Sequence, residues 1–394
     1  MEALLAAKAA ARTVGQLPDR ARRDLLDALA AALRRSADEL LKANEADVAA
    51  MAPADPRRDR LLLTPERLAG VAAGVEAVAR LGEVLWEELE ARERPSGIRL
   101  RRVRVPLGVV GCIYEARPNV TVDVAALCLR TGNVAVLKGG KEAARTNEAL
   151  AKVMGRVLRE AGLPEAAITL LPPTHEAAEA LMKAEGLVDV LIPRGSAGLI
   201  RAVREQALVP VIETGTGVCH IYLHEDADLT IATRVVANAK MRRVSVCNAL
   251  DCLLVHRSLV GEALERVLAP CRERGVEIHT EPENWGREWL SMAMSVRVIE
   301  SLDEALEHIA RFGSGHSEAI VTRSPEAARR FQREVDAACV YVNTPTSFTD
   351  GAEFGLGAEV GISTQKLHAR GPMGLTALTT SKWLIESDGA VRSV

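Results

Sequence analysis

The chain has 394 residues, which is too long for one ordinary hydrophobic core and predicts two or three domains. Hydrophobic residues make up 48% and charged residues 26%, and the net charge of −3 favours neither a nucleic acid nor an anionic membrane as partner. No run of about 18 apolar residues predicts a membrane span. The seven cysteines, odd in number and without a CxxC pair, indicate reduced thiols and a cytoplasmic protein.

The first ninety residues are rich in Ala, Leu, Glu and Arg and predict helices. Leu25, Leu26, Leu29 and Leu33, for example, recur at helical spacing. We expect three helices in this segment, which would cover a sheet as a solvated layer.

From residue 97 onwards, short apolar runs alternate with helical stretches, the pattern of a parallel sheet built from βαβ units. The first set of predicted strands is Val109–Tyr114, Val134–Leu137, Ile168–Leu171, Val188–Ile192 and Val209–Ile212. Helices are predicted between them, near 120–131, 142–161, 175–185 and 196–206. The pattern is typical of a doubly wound nucleotide-binding domain, but the G-x-G-x-x-G fingerprint is missing, so no glycine motif predicts a dinucleotide.

A second α/β set follows, with a domain boundary predicted near residue 226. Its predicted helices lie near 229–241, 259–274, 302–311 and 325–335. Its predicted strands are Leu253–His256, Val276–His279, Val296–Glu300, Ala319–Thr322 and Cys339–Asn343. The basic strand Ile98–Val105 and the tail from about Gly371 are predicted to pair as an edge ribbon, and an exposed edge favours a dimer contact.

Cys247 is the strongest candidate for a nucleophile. It lies in the segment Ser245-Val-Cys-Asn248, between a predicted helix and an apolar strand, where catalytic side chains are often found. Arg242 and Arg243 are close in sequence, and cationic neighbours lower a thiol pKa and so favour the nucleophilic thiolate. The alternative is an inert core cysteine, which is the commoner case for a lone cysteine.

Glycine-rich turns follow three of the predicted strands, at the carboxyl ends where α/β proteins place ligands. They are Leu137-Lys-Gly-Gly-Lys141, Ile192-Pro-Arg-Gly-Ser196 and Ile212-Glu-Thr-Gly-Thr-Gly217. Lys138, Lys141 and Arg194 would present positive charge there, and Gly195-Ser196 would open a helix whose N-terminus attracts an anion. Together these turns predict a phosphate-bearing ligand.

Motifs for other kinds of site are missing. His220 and His224 are four residues apart in a predicted strand, a spacing of about 13 Å. No HExxH or CxxC pattern predicts a metal site, and no GxSxG elbow predicts a serine hydrolase. The residues by themselves therefore indicate a two-domain α/β enzyme, with a cysteine nucleophile and a nucleotide as candidates.

Several long motifs resemble the aldehyde dehydrogenase superfamily, and most closely its γ-glutamyl phosphate reductase branch. They are the segment 105–133 with YEARPNVT, the segment 191–200, the segment 210–220 with ETGTGVCH, the segment 245–249, and GISTQKLHARGPMGL within 355–375. The resemblance extends over about residues 1–385, and these motifs are specific. It implies an aldehyde-dehydrogenase-like α/β fold of two doubly wound domains plus a small β oligomerisation extension.

The same resemblance implies a division of the chain. Residues 1–96 and 107–225 would form an NADP-binding domain that includes the N-terminal helical layer. Residues 226–350 would form the catalytic domain that carries the cysteine, and residues 97–106 and 371–394 the β extension.

The resemblance also implies roles for individual residues. The family's catalytic cysteine matches Cys247, its oxyanion-binding asparagine matches Asn119, and its E-x-G-G glutamate matches Glu213, to which we give a supporting role. This chain departs from the family pattern three residues before Cys247, where relatives commonly have proline and this chain has Val244.

Cofactor residues follow in the same way. The lysine that contacts the cofactor ribose matches Lys138, and the glutamate that binds the nicotinamide ribose matches Glu288. Gly195 and Ser196 would contribute the helix N-terminus. Lys141 stands where many NAD-preferring members have glutamate, and its charge would attract a 2'-phosphate, which favours NADP.

The implied reaction is the NADPH-dependent reduction of L-glutamyl 5-phosphate to L-glutamate 5-semialdehyde plus phosphate through a cysteine thioester, the second step of proline biosynthesis from glutamate. Arginines suit the two anionic groups of this substrate. The candidates are Arg117, Arg194, Arg242 and Arg243, and for each the alternative is a solvated or structural side chain.

Two other functions are compatible with the fold. The first is an irreversible aldehyde dehydrogenase that makes an acid, which would not require inorganic phosphate. The second is a non-catalytic scaffold, which would need none of Cys247, Asn119 and Lys138. Association with the glutamate kinase of the preceding step is a weaker hypothesis, since no segment of the sequence can be assigned to such an interface.

Overall fold

The computed structural model describes residues 1–52, 55 and 58–392, which divide into two compact units. The first unit comprises Met1–Glu213, Gly355–Gly361 and Met373–Val394. The second comprises Thr214–Phe354 and Ile362–Pro372. Among the described residues, no helix combines the length and the apolar character that crossing a lipid bilayer requires.

The first unit begins with a helical layer. Its helices are α1 (Glu2–Gly15), α2 (Asp19–Arg35), α3 (Ala37–Ala49), α4 (Arg58–Leu61) and α5 (Pro65–Arg80). This layer contains more helices than the three expected, in part because α2 ends before Ser36 and a separate helix, α3, begins after it. The leucines of α2 from Leu25 to Leu33 are buried, as their helical spacing predicted.

Two strands, β1 (Glu88–Glu93) and β2 (Arg99–Pro106), lead from this layer to the parallel sheet of the first unit. The sheet and its helices are β3 (Val109–Tyr114), α6 (Pro118–Arg130), β4 (Val134–Lys138), α7 (Ala144–Glu160), β5 (Ile168–Leu170), α8 (His175–Met182), β6 (Val190–Arg194) and α9 (Ala197–Gln206). The strand order is β5-β4-β3-β6, with parallel neighbours throughout. This confirms the predicted βαβ pattern.

One predicted strand of this set is wrong. The segment Val209–Ile212 forms only an isolated parallel bridge between Val211 and Leu191. Pro210 has no backbone N–H, which removes one donor from a ladder that would otherwise continue.

The second unit contains its own parallel sheet. Its elements are β7 (Cys219–Leu223), α10 (Leu229–Met241), β8 (Leu250–His256), α11 (Glu262–Glu273), β9 (Glu277–His279), β10 (Ala293–Ile299), α12 (Leu302–Phe312), β11 (Ser317–Val321), α13 (Pro325–Glu334) and β12 (Cys339–Val342). The strand order is β12-β11-β7-β8-β10-β9. One face packs with α10 and α11 and the other with α12 and α13, so this sheet is covered on both sides.

The observed division of the chain differs from the expected one near residue 226. β7 pairs with β8 and β11, so residues 214–225 belong to the second unit. The second unit also takes up the short antiparallel pair β13 (Ile362–Ser363) and β14 (Gly371–Pro372). This late return of the chain was not predicted, because these strands have only two residues each.

An antiparallel sheet of the order β1-β2-β15 completes the first unit, where β15 is Thr379–Glu386. The register runs from Pro106 opposite Thr379 to Arg99 opposite Glu386, which confirms the predicted pairing of the basic strand with the tail. Strand β1 was not predicted, because its sequence ELEARE is rich in charge and has no β-branched residue. Ser393 and Val394, which belong to the expected extension, lie outside the described residues.

Candidate active site

Cys247 lies in the loop of residues 242–249, between α10 and β8, as predicted. It is half-buried, whereas the other six cysteines are buried. Asn248 anchors the loop: its side-chain nitrogen donates to the carbonyl of Thr349 at 2.9 Å, and its own carbonyl accepts from the Thr346 hydroxyl at 2.7 Å. These contacts of Asn248 fix the loop at the residue next to Cys247.

The glycine-rich segment ETGTGVCH packs directly against this loop. A Cβ atom on Gly217 would lie 1.6 Å from the carbonyl oxygen of Cys247, so only glycine permits the observed approach. The thiol of Cys219 also contacts that oxygen, at 3.2 Å. The backbone N–H of Gly217 donates to the carboxylate of Glu288 at 3.0 Å. The structure thus brings two predicted site residues, Cys247 and Glu288, to the same glycine.

A buried acid lies close behind the loop. Asp251 accepts the backbone N–H of Trp289 at 2.9 Å. Burial raises the pKa of Asp251 to about 7, with Glu288 acting in the same direction and Lys240 against it. Sequence reasoning missed Asp251, because an acid in a buried strand carries no catalytic motif.

Arg242 and Arg243 are exposed at the start of the loop, and Val244, at the position of the family's proline, is half-buried. The solvated alternative for these arginines therefore agrees with their positions.

In the first unit, Asn119 occupies the second position of α6, directly after Pro118. Its side-chain nitrogen donates to the carboxylate of Asp123 at 2.9 Å. Asp123 is half-buried, and desolvation raises its pKa to about 6 although Asn119 and Arg194 lower it. Arg117, the residue before Pro118, is the N-cap of the same helix.

The turn after β4 carries the predicted ribose lysine. Lys138 is half-buried, and burial lowers its pKa, while Glu142 opposes that shift. Lys141 is exposed. A cavity of about 230 Å³ lies beside this turn. Its lining comprises Gly139, Gly140, Ala144, Asn147, Glu148, Leu170, Leu171, Pro172 and Pro173.

The turn after β6 differs from the expectation in one respect. Ser196 is the N-cap of α9, as predicted, but its backbone N–H and its hydroxyl both donate to the carboxylate of Glu115, at 2.9 and 2.8 Å. A Cβ atom on Gly195 would come within 2.7 Å of the same carboxylate. The helix N-terminus that was expected to attract a phosphate thus already holds an anionic group of the same chain.

Two further predicted residues form ion pairs in the first unit. Glu213 lies 3.7 Å from the guanidinium of Arg204. Arg194, at the end of β6, lies 3.8 Å from the carboxylate of Glu359, and both side chains are about 20% exposed. For Arg194 this contact agrees with the structural alternative as well as with a place beside an anion.

Buried side chains of β7, β8 and α12 form a cluster that sequence reasoning missed, because its members are far apart in the chain. Nitrogen and sulfur atoms of His220, Cys252 and His308 all lie within 4.8 Å of one another, a spacing that a metal ion could use. However, the guanidinium of Arg297 donates to Nδ1 of His308 at 2.5 Å. Nε2 of a neutral His308 must then carry the proton, and it lies 3.7 Å from the sulfur of Cys252. The cluster therefore reads as a hydrogen-bonded network.

Glu318 completes that network on the other side. Its carboxylate accepts from the backbone N–H of His220 at 2.8 Å and lies 3.0 Å from Nδ1 of the same residue. Burial lowers the pKa of His220, but Glu318 and Cys252 outweigh it and raise the value to about 10. The contacts tie β7, which follows the Gly217 segment in the chain, to β11.

Comparisons with known proteins place this geometry in a family. A model of the aldehyde dehydrogenase family matches residues 1–286. The γ-glutamyl phosphate reductase of Symbiobacterium thermophilum is 51% identical, and the match covers 98% of both chains. The enzyme of that name from Parabacteroides distasonis is 50% identical, with 97% of both chains covered.

Solved structures agree. A crystal structure of γ-glutamyl phosphate reductase from Thermotoga maritima superposes with a TM-score of 0.96 at 36% identity, and covers 100% of this chain and 99% of its own. An acetylating aldehyde dehydrogenase from Geobacillus thermoglucosidasius shares the fold, with a TM-score of 0.72 at 18% identity. The chain belongs to the aldehyde dehydrogenase family and, within it, groups with the γ-glutamyl phosphate reductases.

Proposed function

We propose that this chain reduces L-glutamyl 5-phosphate to L-glutamate 5-semialdehyde and releases phosphate, with NADPH as the reductant. The observation that carries the proposal is the likeness, at about half of all positions and over nearly the whole chain, to relatives named for this activity. The half-buried Cys247, held in a fixed loop, supplies the nucleophile that the reaction needs.

The residues of the first unit fit a nicotinamide dinucleotide. Lys138 ends β4 next to a cavity of about 230 Å³ that is lined in part by Gly139 and Gly140. At Gly139 a Cβ atom would lie 2.3 Å from the amide nitrogen of Asn147, so only glycine permits the turn to pack this closely against α7. Lys138 would contact the adenosine ribose, and the exposed Lys141 would attract a 2'-phosphate. That charge supports NADP over NAD.

The fit at Ser196 carries a condition. Both of its donors are used by Glu115, so Ser196 can donate to a cofactor phosphate only after this carboxylate moves away. With Glu115 displaced, Gly195 and Ser196 would form part of the cofactor site. Glu288, fixed by the N–H of Gly217, would contact the nicotinamide ribose.

The chemistry follows from the roles of the chain's own groups. The Cys247 thiolate attacks the acyl carbonyl, and Asn119 donates a hydrogen bond to the oxygen that becomes negative. The C–O bond to phosphate then breaks, phosphate leaves with the bonding electrons, and a thioester on Cys247 remains. A bound nicotinamide cofactor supplies the hydride that reduces this thioester. Cys247 finally departs as the thiolate when the aldehyde forms, and Glu213 has a supporting role.

The anionic groups of the substrate require cationic partners. We propose that the phosphate and the α-carboxylate bind to arginines of one set. The set is Arg117, Arg194, Arg242 and Arg243. Arg242 and Arg243 are exposed beside the Cys247 loop, where an incoming anion would meet them first.

We also propose a homo-oligomer, dimer or larger, that assembles through the sheet β1-β2-β15. The outer strand β15 carries the exposed side chains of Trp383 and Ile385, which are 45% and 62% exposed, and Trp86, which precedes the other outer strand, is 55% exposed. Light scattering coupled to size exclusion should report more than one chain per particle. A strict monomer at working concentration would contradict this. We further propose that the protein is cytoplasmic and that it associates with glutamate kinase. Co-purification of the two proteins from native extract would test the association.

The proposed reaction can be tested in the reverse direction, as phosphate-dependent oxidation of the aldehyde. Purified protein is given glutamate 5-semialdehyde and NADP, with and without inorganic phosphate, and in parallel with NAD. We expect formation of NADPH only when phosphate is present, at a higher rate than formation of NADH. Oxidation that proceeds equally well without phosphate would instead indicate an aldehyde dehydrogenase that makes an acid.

A further inference from the structure

Asp123 lies one helical turn after Asn119 on α6, so the two side chains share one face of the helix. The side-chain nitrogen of Asn119 donates to Oδ2 of Asp123 at 2.9 Å. An ionised carboxylate can only accept hydrogen bonds, so this contact requires the nitrogen of the amide, and not its oxygen, to face Asp123. The amide nitrogen carries two hydrogens, and one of them remains available for a second acceptor.

Two charged groups from other elements act on this carboxylate. Arg194, from the end of β6, lowers the pKa of Asp123, and Glu359, from the returning segment Gly355–Gly361, raises it. Burial has the largest effect, and the resulting pKa is about 6. Asp123 is therefore mostly ionised at neutral pH and becomes protonated in the mildly acidic range.

We propose that Asp123 is a positioning residue for Asn119, which keeps the amide turned so that its second N–H can be donated to the oxyanion. Without this acceptor the amide can rotate by 180° and present its oxygen, which repels a developing negative charge. The inference rests on the proposed function, in which Asn119 is the oxyanion donor. Asp123 itself touches no reacting atom in this scheme.

The size of the expected effect follows from how much one oxyanion donor contributes to kcat. Removal of one oxyanion donor typically lowers kcat by about 10²- to 10³-fold. Loss of the orientation of Asn119 should cause part of this decrease in kcat. We therefore expect Asp123→Ala to lower kcat by about 10- to 100-fold with little change in KM. Asp123→Asn retains an acceptor oxygen and should keep kcat within about threefold at pH 7.5.

The test is a double-mutant cycle of Asn119→Ala, Asp123→Ala and the combined variant. If Asp123 acts through Asn119, its substitution should have almost no further effect on kcat once Asn119 has been removed. Losses that multiply in the double variant would overturn the inference. As a second readout, log kcat of the parent should fall on the acid side with a midpoint near pH 6, and Asp123→Asn should lack this limb.

A control separates positioning from stability. Asp189 is also a partly buried aspartate of the first unit, and it accepts from the backbone N–H of Val109, at the amino end of β3, and from Lys8, both at 2.8 Å. Asp189→Asn should lower the thermal midpoint and leave kcat unchanged, and thermal unfolding of every variant shows which of them are folded. A parent protein with no phosphate-dependent activity would overturn the proposed function and this inference together. An active parent whose folded Asp123→Ala variant keeps its kcat would overturn the inference alone.

Discussion

The loop of Cys247 and the turn of Ser196 both lie where a ligand was expected, but different contacts hold them in place. The Cys247 loop is fixed by the side chain and the carbonyl of Asn248 and by the close approach of Gly217 to the Cys247 carbonyl. The Ser196 turn is fixed by Glu115, which uses the two donors that a phosphate would need. The contacts of Asn248 and of the Cys247 carbonyl can persist when a substrate binds, whereas a phosphate has to replace part of the Ser196 arrangement.

The difference separates two requirements. A nucleophile must keep its geometry through a covalent cycle, so the contacts that hold it should avoid the reactive atom. A binding turn has to exchange partners, and a displaceable carboxylate leaves no unpaired helix N-terminus in the absence of the ligand. Four substitutions test this comparison, from the largest expected effect to the smallest.

Cys247→Ala removes the reactive atom and leaves its support intact. We expect kcat to fall by about 10⁴-fold or more, because no other group can form the thioester. NADPH binding, followed by fluorescence titration, should persist. Cys271→Ala, at a buried cysteine of α11, is the matched control and should cost stability only. Activity of Cys247→Ala near that of the parent would defeat the mechanism.

Gly217→Ala attacks the support while leaving the sulfur in place. Its new methyl group would lie 1.6 Å from the Cys247 carbonyl oxygen, so the loop has to shift. We expect kcat to fall by about 10²-fold and the free energy of unfolding to fall by about 3 kcal/mol, measured by urea titration. Gly74→Ala is the control, because nothing lies within 4 Å of its added Cβ in α5, and it should stabilise by about 0.5 to 1 kcal/mol. Full activity in Gly217→Ala would show that the fixed loop is not required.

Lys141→Glu reverses the charge beside the proposed cofactor cavity. The ratio of kcat/KM for NADPH to that for NADH should fall by about tenfold, because a carboxylate repels the 2'-phosphate. Lys152→Glu, at an exposed position of α7, controls for the change in overall charge. An unchanged ratio would mean that Lys141 does not contact the 2'-phosphate.

Glu115→Gln releases the Ser196 turn from its internal anion. An amide binds a helix N-terminus less strongly than a carboxylate, so the Kd of NADPH should decrease by about fivefold, corresponding to about 1 kcal/mol. Glu326→Gln, in the first turn of α13, is a matched control that should leave the Kd unchanged. Weaker binding in Glu115→Gln would mean that Glu115 supports the cofactor and does not compete with it.

Much of the fold was predictable because the central strands of both parallel sheets are buried on both faces. Val109–Tyr114 is buried at every position, and its apolar run has the observed bounds. The predicted helix 229–241 also has the observed bounds, which placed Cys247 correctly in a loop. Local pattern was sufficient for these elements because it was set by burial.

The contacts that organise the site were less accessible to sequence reasoning. Glu115 and Ser196 are 81 positions apart, and their contact depends on β3 and β6 being neighbours in the sheet. The cluster of His220, Cys252 and His308 likewise joins three elements. Asp123 could have been found, because an acid four residues after Asn119 on a predicted helix falls on the same face. The roles of these residues stay predictions until the variants are measured.

The pairing of β2 with β15 has a consequence for biosynthesis of the chain. Arg99–Pro106 has left the ribosome long before Thr379–Glu386, its neighbour in the sheet, is translated. During that interval the growing polypeptide displays an open strand edge, to which another unfinished molecule can attach. Shortening the C-terminus by about fifteen residues would make that temporary exposure permanent, so such a truncation should reduce the yield of dispersed protein more than its small size suggests.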